Sequence, residues 1–500
     1  MTITHWVAGA PYAGTGTDTL PVENPATGEV VDELLLASAE DLDHVVAVAR
    51  QAQKRWARVS LAKRVEVMFA MCRLVDEHAE ELADLIVREG GKTRDDALGE
   101  IARGRETIDF VCGVNTALKG EFTDQAATGI DVHTLRQPVG VVAGICPFNF
   151  PVMVPAWMHP VALATGNAFI LKVASLVPSA SMLIARLYKE AGLPDGLFNV
   201  IAGNRTIVSR ILEHPGIDAI SFVGSTPVAH IVQNTGVTHG KRVQALGGAN
   251  NHAIVMPDAQ MEFAAQHICA GAFGAAGQRC MALPVVVAVG DAGDRLVSAV
   301  KARAERIVVG PGTDPASEMG PVITRGDLER IESWIEEAAR AGAELVLDGR
   351  GYRPAGGAHD NGFWLGPTIV DKVSTDLRIY HEEVFGPVLV VVRAGTYEEA
   401  IELVNSSPFG NGSAIFTSDG DAARQFTVDV EAGMVGVNVP IPVPVAYYSF
   451  GGWKESLLGD VHIHGPEGVR FYTRGKVVTT RWPRRGEKVG YVGMSFPTNA

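Results

Sequence analysis

The chain has 500 residues, more than one hydrophobic core usually fills, so we expect at least two lobes. Hydrophobic residues make up 47% and charged residues 20% of the chain, a composition typical of folded proteins rather than of disordered ones. The formal net charge of −14, without a Lys/Arg-rich run or an apolar run of the roughly 20 residues that span a membrane, argues against nucleic-acid and membrane partners and favours a cytoplasmic protein.

The N-terminal half begins as a predicted helical layer and continues as alternating strands and helices. Apolar residues recur at helical spacing from Ala39 to Gly90. The polar, alternating segment from Ala126 to Gln137 is typical of an exposed strand or hairpin. From Val139 to Leu246, apolar runs such as VGVVAGI alternate with helical segments, which indicates parallel βαβ units.

A second alternating series starts near His252, so two α/β lobes share the chain. Near the C-terminus, the segment GVRFYTRGKVVTTRW alternates apolar and polar residues as an exposed strand does. Together with the segment at 126–137, it is predicted to form a sheet between subunits.

The five cysteines are odd in number and show no C-x-x-C spacing, which argues against a disulfide framework. Cys280 differs from the others because it ends the glycine-rich run FGAAGQRC beside Arg279, and a neighbouring cation favours the thiolate. Cys280 is therefore the candidate nucleophile, the alternative being one more buried thiol. His462 and His464 lack further residues at ligand spacing, and we predict no metal site.

Polar residues follow several predicted strands. Asn149 lies in PFNFP after a buried strand, where its amide is either a donor to a developing oxyanion or an ordinary turn residue. Lys172 ends the next strand. Gly224 and Ser225 precede a helix, and a helix N-terminus behind a glycine can bind phosphate.

Six motifs, spread in order over nearly the whole chain, resemble the aldehyde dehydrogenase superfamily: PFNFP (147–151), LK (171–172), FVGST (222–226), FGAAGQRC (273–280), EEVFGP (382–387) and FGGWK (450–454). The resemblance implies a two-lobed α/β fold with a Rossmann-like nucleotide-binding domain, an α/β catalytic domain and a small oligomerisation sheet. The implied ranges are 1–125 and 143–250 for the nucleotide-binding domain, 251–445 for the catalytic domain, and 126–142 and 465–485 for the oligomerisation strands.

By this resemblance, Cys280 attacks an aldehyde, while Asn149 and the backbone N–H of Cys280 hold the oxyanion. The cofactor-binding positions implied are Cys146, Phe148, Lys172, Ser175, Gly224, Ser225, Glu383 and Phe385. The implied cofactor is NAD. Ser175 stands where relatives often carry a glutamate that repels a 2′-phosphate, so NADP stays open.

The position of the usual general base departs from most of the superfamily. Hydrolytic members carry a glutamate in a pattern like E-L-G-G-K, whereas this chain reads QALGGANNH from Gln244 to His252. Ala245 or Leu246 stands at the base position, and neither can take a proton from water. Acyl transfer to a thiol such as coenzyme A is therefore favoured, because a thiol ionises more readily than water near neutral pH.

The closer resemblance is to the CoA-acylating methylmalonate-semialdehyde dehydrogenases, at GVVAGICPFNFPVMVPAWMHP and RVQALGGANNHAIVMPDA. These enzymes oxidise malonate and methylmalonate semialdehydes with loss of CO₂, giving acetyl-CoA or propionyl-CoA. The resemblance assigns Arg103 and Arg279 to the substrate carboxylate, which suits a guanidinium fork, and Phe450 to the substrate site. For Arg103, an ordinary helix-surface arginine is the alternative.

Two positions, Gly247 and Asn250, depart from the family pattern.

A homotetramer, built as a dimer of dimers, is the expected assembly. Two other functions stay open: a hydrolytic NAD(P)-dependent aldehyde dehydrogenase for another aldehyde, and an inactive family member that acts as a binding protein.

Overall fold

The computed structural model describes residues 2–355, 357, 359–483, 485, 486 and 494. Residues 1, 356, 358 and 484, which fall in the predicted domain and strand ranges, lie outside the described residues. The helices are α1 (Ala39–Trp56), α2 (Leu61–Glu77), α3 (Ala79–Gly90), α4 (Arg94–Cys112), α5 (Val114–Ala117), α6 (Met153–Ala156), α7 (His159–Ala164), α8 (Ser179–Glu190), α9 (Arg205–Glu213), α10 (Thr226–Thr238), α11 (Met261–Phe273), α12 (Ala292–Ala304), α13 (Arg325–Arg340), α14 (Arg378–His381), α15 (Tyr397–Ser406), α16 (Gly420–Asp429) and α17 (Gly465–Phe471). The strands are β1 (Thr2–Ile3), β2 (His5–Val7), β3 (Ala10–Tyr12), β4 (Thr19–Asn24), β5 (Glu29–Leu35), β6 (Phe122–Ala127), β7 (Ile130–Pro138), β8 (Val141–Ile145), β9 (Ala168–Lys172), β10 (Phe198–Ile201), β11 (Ala219–Val223), β12 (Arg242–Leu246), β13 (His252–Val255), β14 (Val285–Val289), β15 (Glu344–Leu347), β16 (Thr368–Asp371), β17 (Val388–Ala394), β18 (Phe409–Gly410), β19 (Gly412–Phe416), β20 (Met434–Val437), β21 (Trp453–Lys454), β22 (Leu457–Leu458) and β23 (Thr473–Arg481).

The first lobe is built on an eight-stranded sheet in the order β22-β12-β11-β8-β9-β10-β2-β3. Its five central strands run parallel, and the strands added at both edges are antiparallel. Strands such as β8 are buried at every position, which explains their unbroken apolar sequences. The carboxyl ends of β8, β9 and β11 lie side by side, so Cys146, Lys172 and Gly224 follow the same edge of the sheet.

The second lobe is built on a seven-stranded sheet in the order β15-β16-β17-β14-β13-β19-β20, parallel except for β15. Its apolar core runs mainly from Ala253 to Phe416, whereas the core of the first lobe runs mainly from Val7 to Leu246. The predicted two-lobed α/β fold is confirmed.

A separate antiparallel sheet in the order β23-β7-β6 stands apart from both lobes. β23 pairs with β7 along its whole length, from Thr473 opposite Pro138 to Arg481 opposite Ile130. Its strands are largely exposed or half-buried. Its role in oligomerisation stays a prediction.

The predicted strand at 465–485 is wrong over its first part, because Gly465–Phe471 is the helix α17 and the strand begins at Thr473. His464 has a left-handed backbone at φ 47°, which turns the chain, and Pro466 suits the first turn of a helix. Gly468, Val469 and Phe471 are buried against the first lobe. The hairpin also begins earlier than predicted, at Phe122.

Helix α4 runs between the two lobes and supplies several residues of the site described below. Thr93 caps it by accepting a hydrogen bond from the Asp96 N–H. The acidic residues in its first turn stabilise the helix, because their negative charge lies at the positive end of the helix dipole. The preceding helix α3 ends at Gly90, where Gly91 is left-handed at φ 68°. None of the helices in the described part of the chain is both long and apolar enough to cross a membrane.

Candidate active site

Cys280 lies in the loop between α11 and β14 and opens onto a cavity of about 370 Å³. Arg279, Arg103 and Phe450, all predicted from the sequence to contact substrate, line the same cavity together with Trp157. Phe450 is buried and its ring packs against Trp157 at 4.6 Å between centroids. Residues far apart in sequence thus meet around one thiol.

The turn that precedes Cys280 is conformationally strained. Ala275, Ala276 and Gly277 all have positive φ angles, of 50°, 53° and 68°, and left-handed alanines are unfavourable. Asp96 of α4 holds this turn, since its carboxylate accepts the Ala275 N–H at 3.0 Å and pairs with Arg279. Gly277 is required by space as well, because a Cβ there would lie 2.0 Å from the Gly386 carbonyl oxygen.

Two asparagines fix the backbone of Cys280, the candidate nucleophile. The side-chain amides of Asn251 and Asn411 both donate to the Cys280 carbonyl oxygen, each at 3.0 Å. Asn251 also donates to the Ala282 carbonyl at 2.7 Å and accepts the Gly412 N–H at 2.9 Å, so it ties β19 to the loop. Sequence reasoning missed both residues, as it missed Asp96.

Burial and, to a smaller extent, the Glu383 carboxylate raise the pKa of the Cys280 thiol to about 12. The backbone N–H groups of Cys280 and Met281 and the charge of Arg279 act in the opposite direction. The expectation that these surroundings favour the thiolate is therefore wrong for the ligand-free protein. Burial outweighs the neighbouring cation because the Arg279 charge is engaged by Asp96.

Asn149 is buried in the loop after β8, and its Nδ2 donates to the Gln278 carbonyl oxygen at 3.0 Å. An amide nitrogen carries two hydrogens, so a second N–H stays available to an oxyanion near the Cys280 loop. Helix α4 fixes the loop that carries Asn149. Glu100 Oε1 accepts the backbone N–H groups of Val152 at 2.9 Å and Met153 at 3.2 Å.

The Glu100 carboxylate is itself neutralised by Lys92, at 2.6 Å, in a pair that is almost completely buried. The same ammonium lies 3.8 Å from the centre of the Phe150 ring. Lys92 and Glu100 therefore connect α3, α4 and the PFNFP loop into one rigid support.

Glu383 follows the short helix α14, and its Oε1 accepts the Ala249 N–H at 3.1 Å. Burial raises the pKa of this carboxyl to about 7. Gly248 leaves room for it, because a Cβ at Gly248 would lie 2.7 Å from the Glu383 Oε2. Nearby, the rings of Phe148 and Phe385 meet edge to face at 5.9 Å.

The remaining predicted cofactor positions lie along the carboxyl edge of the first sheet. Lys172 ends β9 in register with Ile145, and burial lowers the pKa of its ammonium group. The Cys146 thiol is buried beside it, and burial raises the pKa of that thiol. Ser175 lies half-buried in the loop after β9, on the path from Lys172 to α8.

Gly224 and Ser225 lead from β11 into α10, whose first turn contains Pro227. The Ser225 side chain is exposed and makes no capping hydrogen bond. The N–H groups of this helix end are therefore free of a side-chain cap, as an anion site requires.

The two arginines that line the cavity also form hydrogen bonds and ion pairs with other residues of the protein. Arg103 pairs with Glu106 at 2.7 Å and donates to the Pro444 carbonyl oxygen at 2.7 Å. Arg279 pairs with Asp96. Each guanidinium has five N–H donors, so both can still bind a substrate carboxylate.

The two residues at the usual general-base position, Ala245 and Leu246, are buried in β12, where they pair with β22. Asn250, which departs from the family pattern, donates to the Tyr380 carbonyl at 2.6 Å, while its buried Oδ1 has no hydrogen-bond partner among the described residues. At Gly247 a Cβ would lie 2.4 Å from the Glu455 carbonyl oxygen, which accounts for glycine there. The residues that the structure describes include no group of three His, Cys, Asp or Glu side chains placed to hold a metal ion.

This arrangement of a half-buried cysteine, an amide donor and a parallel sheet that ends beside an uncapped helix N-terminus is that of an aldehyde-oxidising enzyme. Residues 12–478 match the model of the aldehyde dehydrogenase family, and the chain belongs to that family. The superfamily resemblance seen in the sequence is thereby confirmed.

Individual relatives are more specific. The malonate-semialdehyde dehydrogenase of Pseudomonas aeruginosa is 47% identical over 97% of this chain and 97% of its own. Among solved structures, a putative methylmalonate-semialdehyde dehydrogenase from Sinorhizobium meliloti complexed with NAD is 47% identical, with a TM-score of 0.96 over 97% of this chain and 99% of that one. The methylmalonate-semialdehyde dehydrogenase of Oceanimonas doudoroffii is 48% identical, with a TM-score of 0.95 over the same shares of the two chains.

Proposed function

We propose that this protein is a CoA-acylating semialdehyde dehydrogenase, which oxidises malonate or methylmalonate semialdehyde with loss of CO₂ and gives acetyl-CoA or propionyl-CoA. The observation that carries the proposal is the cavity in which Cys280 meets Arg103 and Arg279. A nucleophile and two guanidinium groups in one cavity suit an aldehyde that also carries a carboxylate. The names and high identity of the relatives support the same substrate class.

The first step is attack of the Cys280 sulfur on the aldehyde carbon, which places negative charge on the aldehyde oxygen. The free N–H of Asn149 and the backbone N–H of Cys280 are the proposed donors to this oxyanion. Loss of hydride from the same carbon then leaves a thioester on Cys280.

The substrate carboxylate lies β to the thioester carbonyl. The electron pair of its C–C bond can pass into that carbonyl when CO₂ leaves, and the donors that held the first oxyanion stabilise this charge again. A proton on the adjacent carbon completes the acyl group. Arg103 and Arg279 bind the carboxylate in the first complex, while the cavity wall formed by Phe450 and Trp157 packs against the carbon chain.

Deacylation requires a second nucleophile. Ala245 and Leu246 are buried and carry no proton acceptor, which favours the thiol of coenzyme A over water. Glu383 is the carboxyl group that supports the hydrolytic alternative. Its pKa of about 7 suits a group that takes a proton from water, and its effect on the pKa of Cys280 shows that it lies near the thiol. Transfer to coenzyme A gives an acyl-CoA, whereas hydrolysis gives a free acid.

The proposed redox cofactor is NAD, with NADP open because of Ser175. When bound, it accepts the hydride from the substrate carbon. Lys172 suits its ribose hydroxyls, since the one ionisable group of the described residues that acts on the pKa of this ammonium group is the Cys146 thiol, not a carboxylate. The uncapped N-terminus of α10 at Gly224 and Ser225 suits the pyrophosphate.

At the reactive end, Glu383 would hold the second ribose, and Phe148 and Phe385 would flank the nicotinamide, close to Cys146 at the end of β8. The Gln278 Nε2 supports this placement, since it is buried in the same small cavity as Phe148 without a hydrogen-bond partner in the described chain. An unpaired buried amide donor fits a ligand carbonyl.

The test is NADH formation from methylmalonate semialdehyde and NAD, with and without coenzyme A. We expect steady turnover with coenzyme A, and without it a burst of about one NADH per site, as for a thioester that accumulates. Equal steady rates with free acid as product would establish the hydrolytic alternative instead. Cys280→Ala should abolish the burst; if the native protein shows no activity to abolish, the binding-protein alternative stands.

We also infer a cytoplasmic homotetramer, built as a dimer of dimers. Five free thiols suit a reducing compartment. The exposed sheet of β6, β7 and β23 carries the apolar side chains of Phe122, Val477 and Trp482 near or on its surface, which suits pairing with another subunit.

A further inference from the structure

Two cysteines outside the active site lie next to each other. Cys72 belongs to α2 and Cys112 is the last residue of α4, and their Sγ atoms are 4.0 Å apart. Neither lines the catalytic cavity, and neither has a part in the proposed reaction. The other three cysteines have no such thiol neighbour among the described residues.

The two thiols differ in acidity. The hydrogen bond from Cys112 lowers the pKa of Cys72 against the effect of burial, and the nearby Arg105 lowers it further, while Asp109 and Asp76 oppose it. The same contact raises the pKa of Cys112, and burial adds to that. Cys72 therefore loses its proton more readily than Cys112.

The geometry allows the sulfurs to approach. A disulfide needs about 2.05 Å between sulfurs, so the gap must close by roughly 2 Å. Cys112 ends its helix and is followed by Gly113, so the last turn can shift more easily than the middle of a helix. Cys112 is also half-exposed, which gives a small oxidant access to the pair.

We propose that Cys72 and Cys112 form a peroxide-sensitive dithiol that closes to a disulfide, a modification site separate from Cys280. The Cys72 thiolate attacks one peroxide oxygen, the O–O bond breaks, and a sulfenic acid and hydroxide form. The Cys112 sulfur then attacks the sulfenic sulfur, its proton and the hydroxyl leave as water, and the S–S bond forms. In total, two electrons pass from the two thiols to one peroxide, which ends as two waters.

The cross-link would join α2 to α4, the helix that carries Asp96, Glu100 and Arg103. Closing it restricts the unfolded chain, so the oxidised protein should melt at a higher temperature than the reduced one. In a reducing compartment such a bond is transient and reports oxidant exposure.

The test treats the full-length protein with hydrogen peroxide, blocks the remaining thiols with iodoacetamide and maps tryptic peptides by mass spectrometry. Trypsin separates the relevant thiols, with Cys72 in 65–73, Cys112 in 106–119 and Cys280 in 280–295. We expect peptides 65–73 and 106–119 to appear as one species that dithiothreitol splits. The proposal is wrong if both peptides stay alkylated, or are oxidised separately, at a peroxide dose that oxidises Cys280.

Cys112→Ser and Cys269→Ser form a matched pair of variants. Cys269 is a buried thiol whose sulfur donates to the Val300 carbonyl oxygen at 3.6 Å. Peroxide should raise the melting temperature of Cys269→Ser by a few degrees, as for the native protein, and should not raise that of Cys112→Ser. A rise of the same size in both variants would overturn the assignment.

Discussion

The pKa of the Cys280 thiol depends on its burial and on the charged groups that lie near it. Burial raises the pKa of the thiol, Glu383 is the carboxylate that adds to this effect, and the resulting pKa is about 12. Glu383 has a pKa of about 7, so it becomes charged as the pH passes through neutrality. Two groups of the site thus oppose each other's ionisation in the ligand-free protein.

We predict that Glu383→Gln increases the rate at which iodoacetamide alkylates Cys280 above pH 7. In the native protein Glu383 is mostly neutral below pH 7 and charged above it, so only the alkaline side loses a repelling charge. The measurement is the alkylation rate of peptide 280–295 in ligand-free protein from pH 6 to pH 10. Glu382→Gln, which changes an exposed neighbour, is the control, and equal rates in both variants would contradict the prediction.

Arg103→Leu should lower kcat/KM for methylmalonate semialdehyde about 10- to 150-fold and for propanal less than about 5-fold, because a charge-assisted carboxylate contact contributes about 1.5 to 3 kcal/mol. Steady-state kinetics on both aldehydes checks this. Arg105→Leu is the matched control on the same helix, since Arg105 pairs with Asp76 and Asp109 and does not line the cavity. Equal losses on the two aldehydes would remove Arg103 from carboxylate binding.

At the scale of elements, α4 is the main support of the site. Asp96 in its first turn holds the strained turn before Cys280, and Glu100 one turn later holds the loop after PFNFP. Arg103 follows on the face that lines the cavity. One helix therefore sets the distance between the proposed nucleophile, the proposed amide donor and the proposed carboxylate site.

Asp96→Asn should lower kcat by about 10- to 100-fold, since misplacing a reacting group by about 1 Å costs about that much. The substitution removes the charge that pairs with Arg279 and weakens the acceptor of the Ala275 N–H. As a positioning residue, Asp96 should leave the KM for NAD within about twofold and the melting temperature nearly unchanged.

Asp109→Asn, a change of the same kind at an exposed position of α4, is the control for Asp96→Asn. Asp96→Glu should recover part of the lost kcat, because it restores the charge. A fall in melting temperature that accounts for the lost activity would show a general structural role instead.

At the scale of the whole molecule, the exposed sheet of β6, β7 and β23 is separate from the sheets of both lobes. Val477 is 66% exposed on β23, and a charge there would be buried in any interface that covers the strand. Val477→Asp should therefore shift the protein from a tetramer to smaller species in light scattering after gel filtration. Val428→Asp, at a 77% exposed position of α16, should keep the native assembly.

The sequence could predict what lies in continuous segments. Alternating apolar runs predict the parallel strands because their periodicity is local, and motifs such as FGAAGQRC and PFNFP carry Cys280 and Asn149 with their neighbours. It predicted α17 wrongly, because a short apolar alternation fits both a strand and a helix packed on one side, and the choice depends on what buries Val469 and Phe471.

Supporting residues came only from tertiary structure, because their partners are distant along the chain. Asp96 and Arg279 are 183 positions apart, and Asn411 lies 131 positions from the carbonyl it binds. The Cys280 pKa also depended on burial and on Glu383, which no local pattern reports. The sequence by itself determined the fold, the family and the candidate nucleophile; the tertiary structure decided how that thiol is held and how acidic it is, because both depend on groups that only folding brings together.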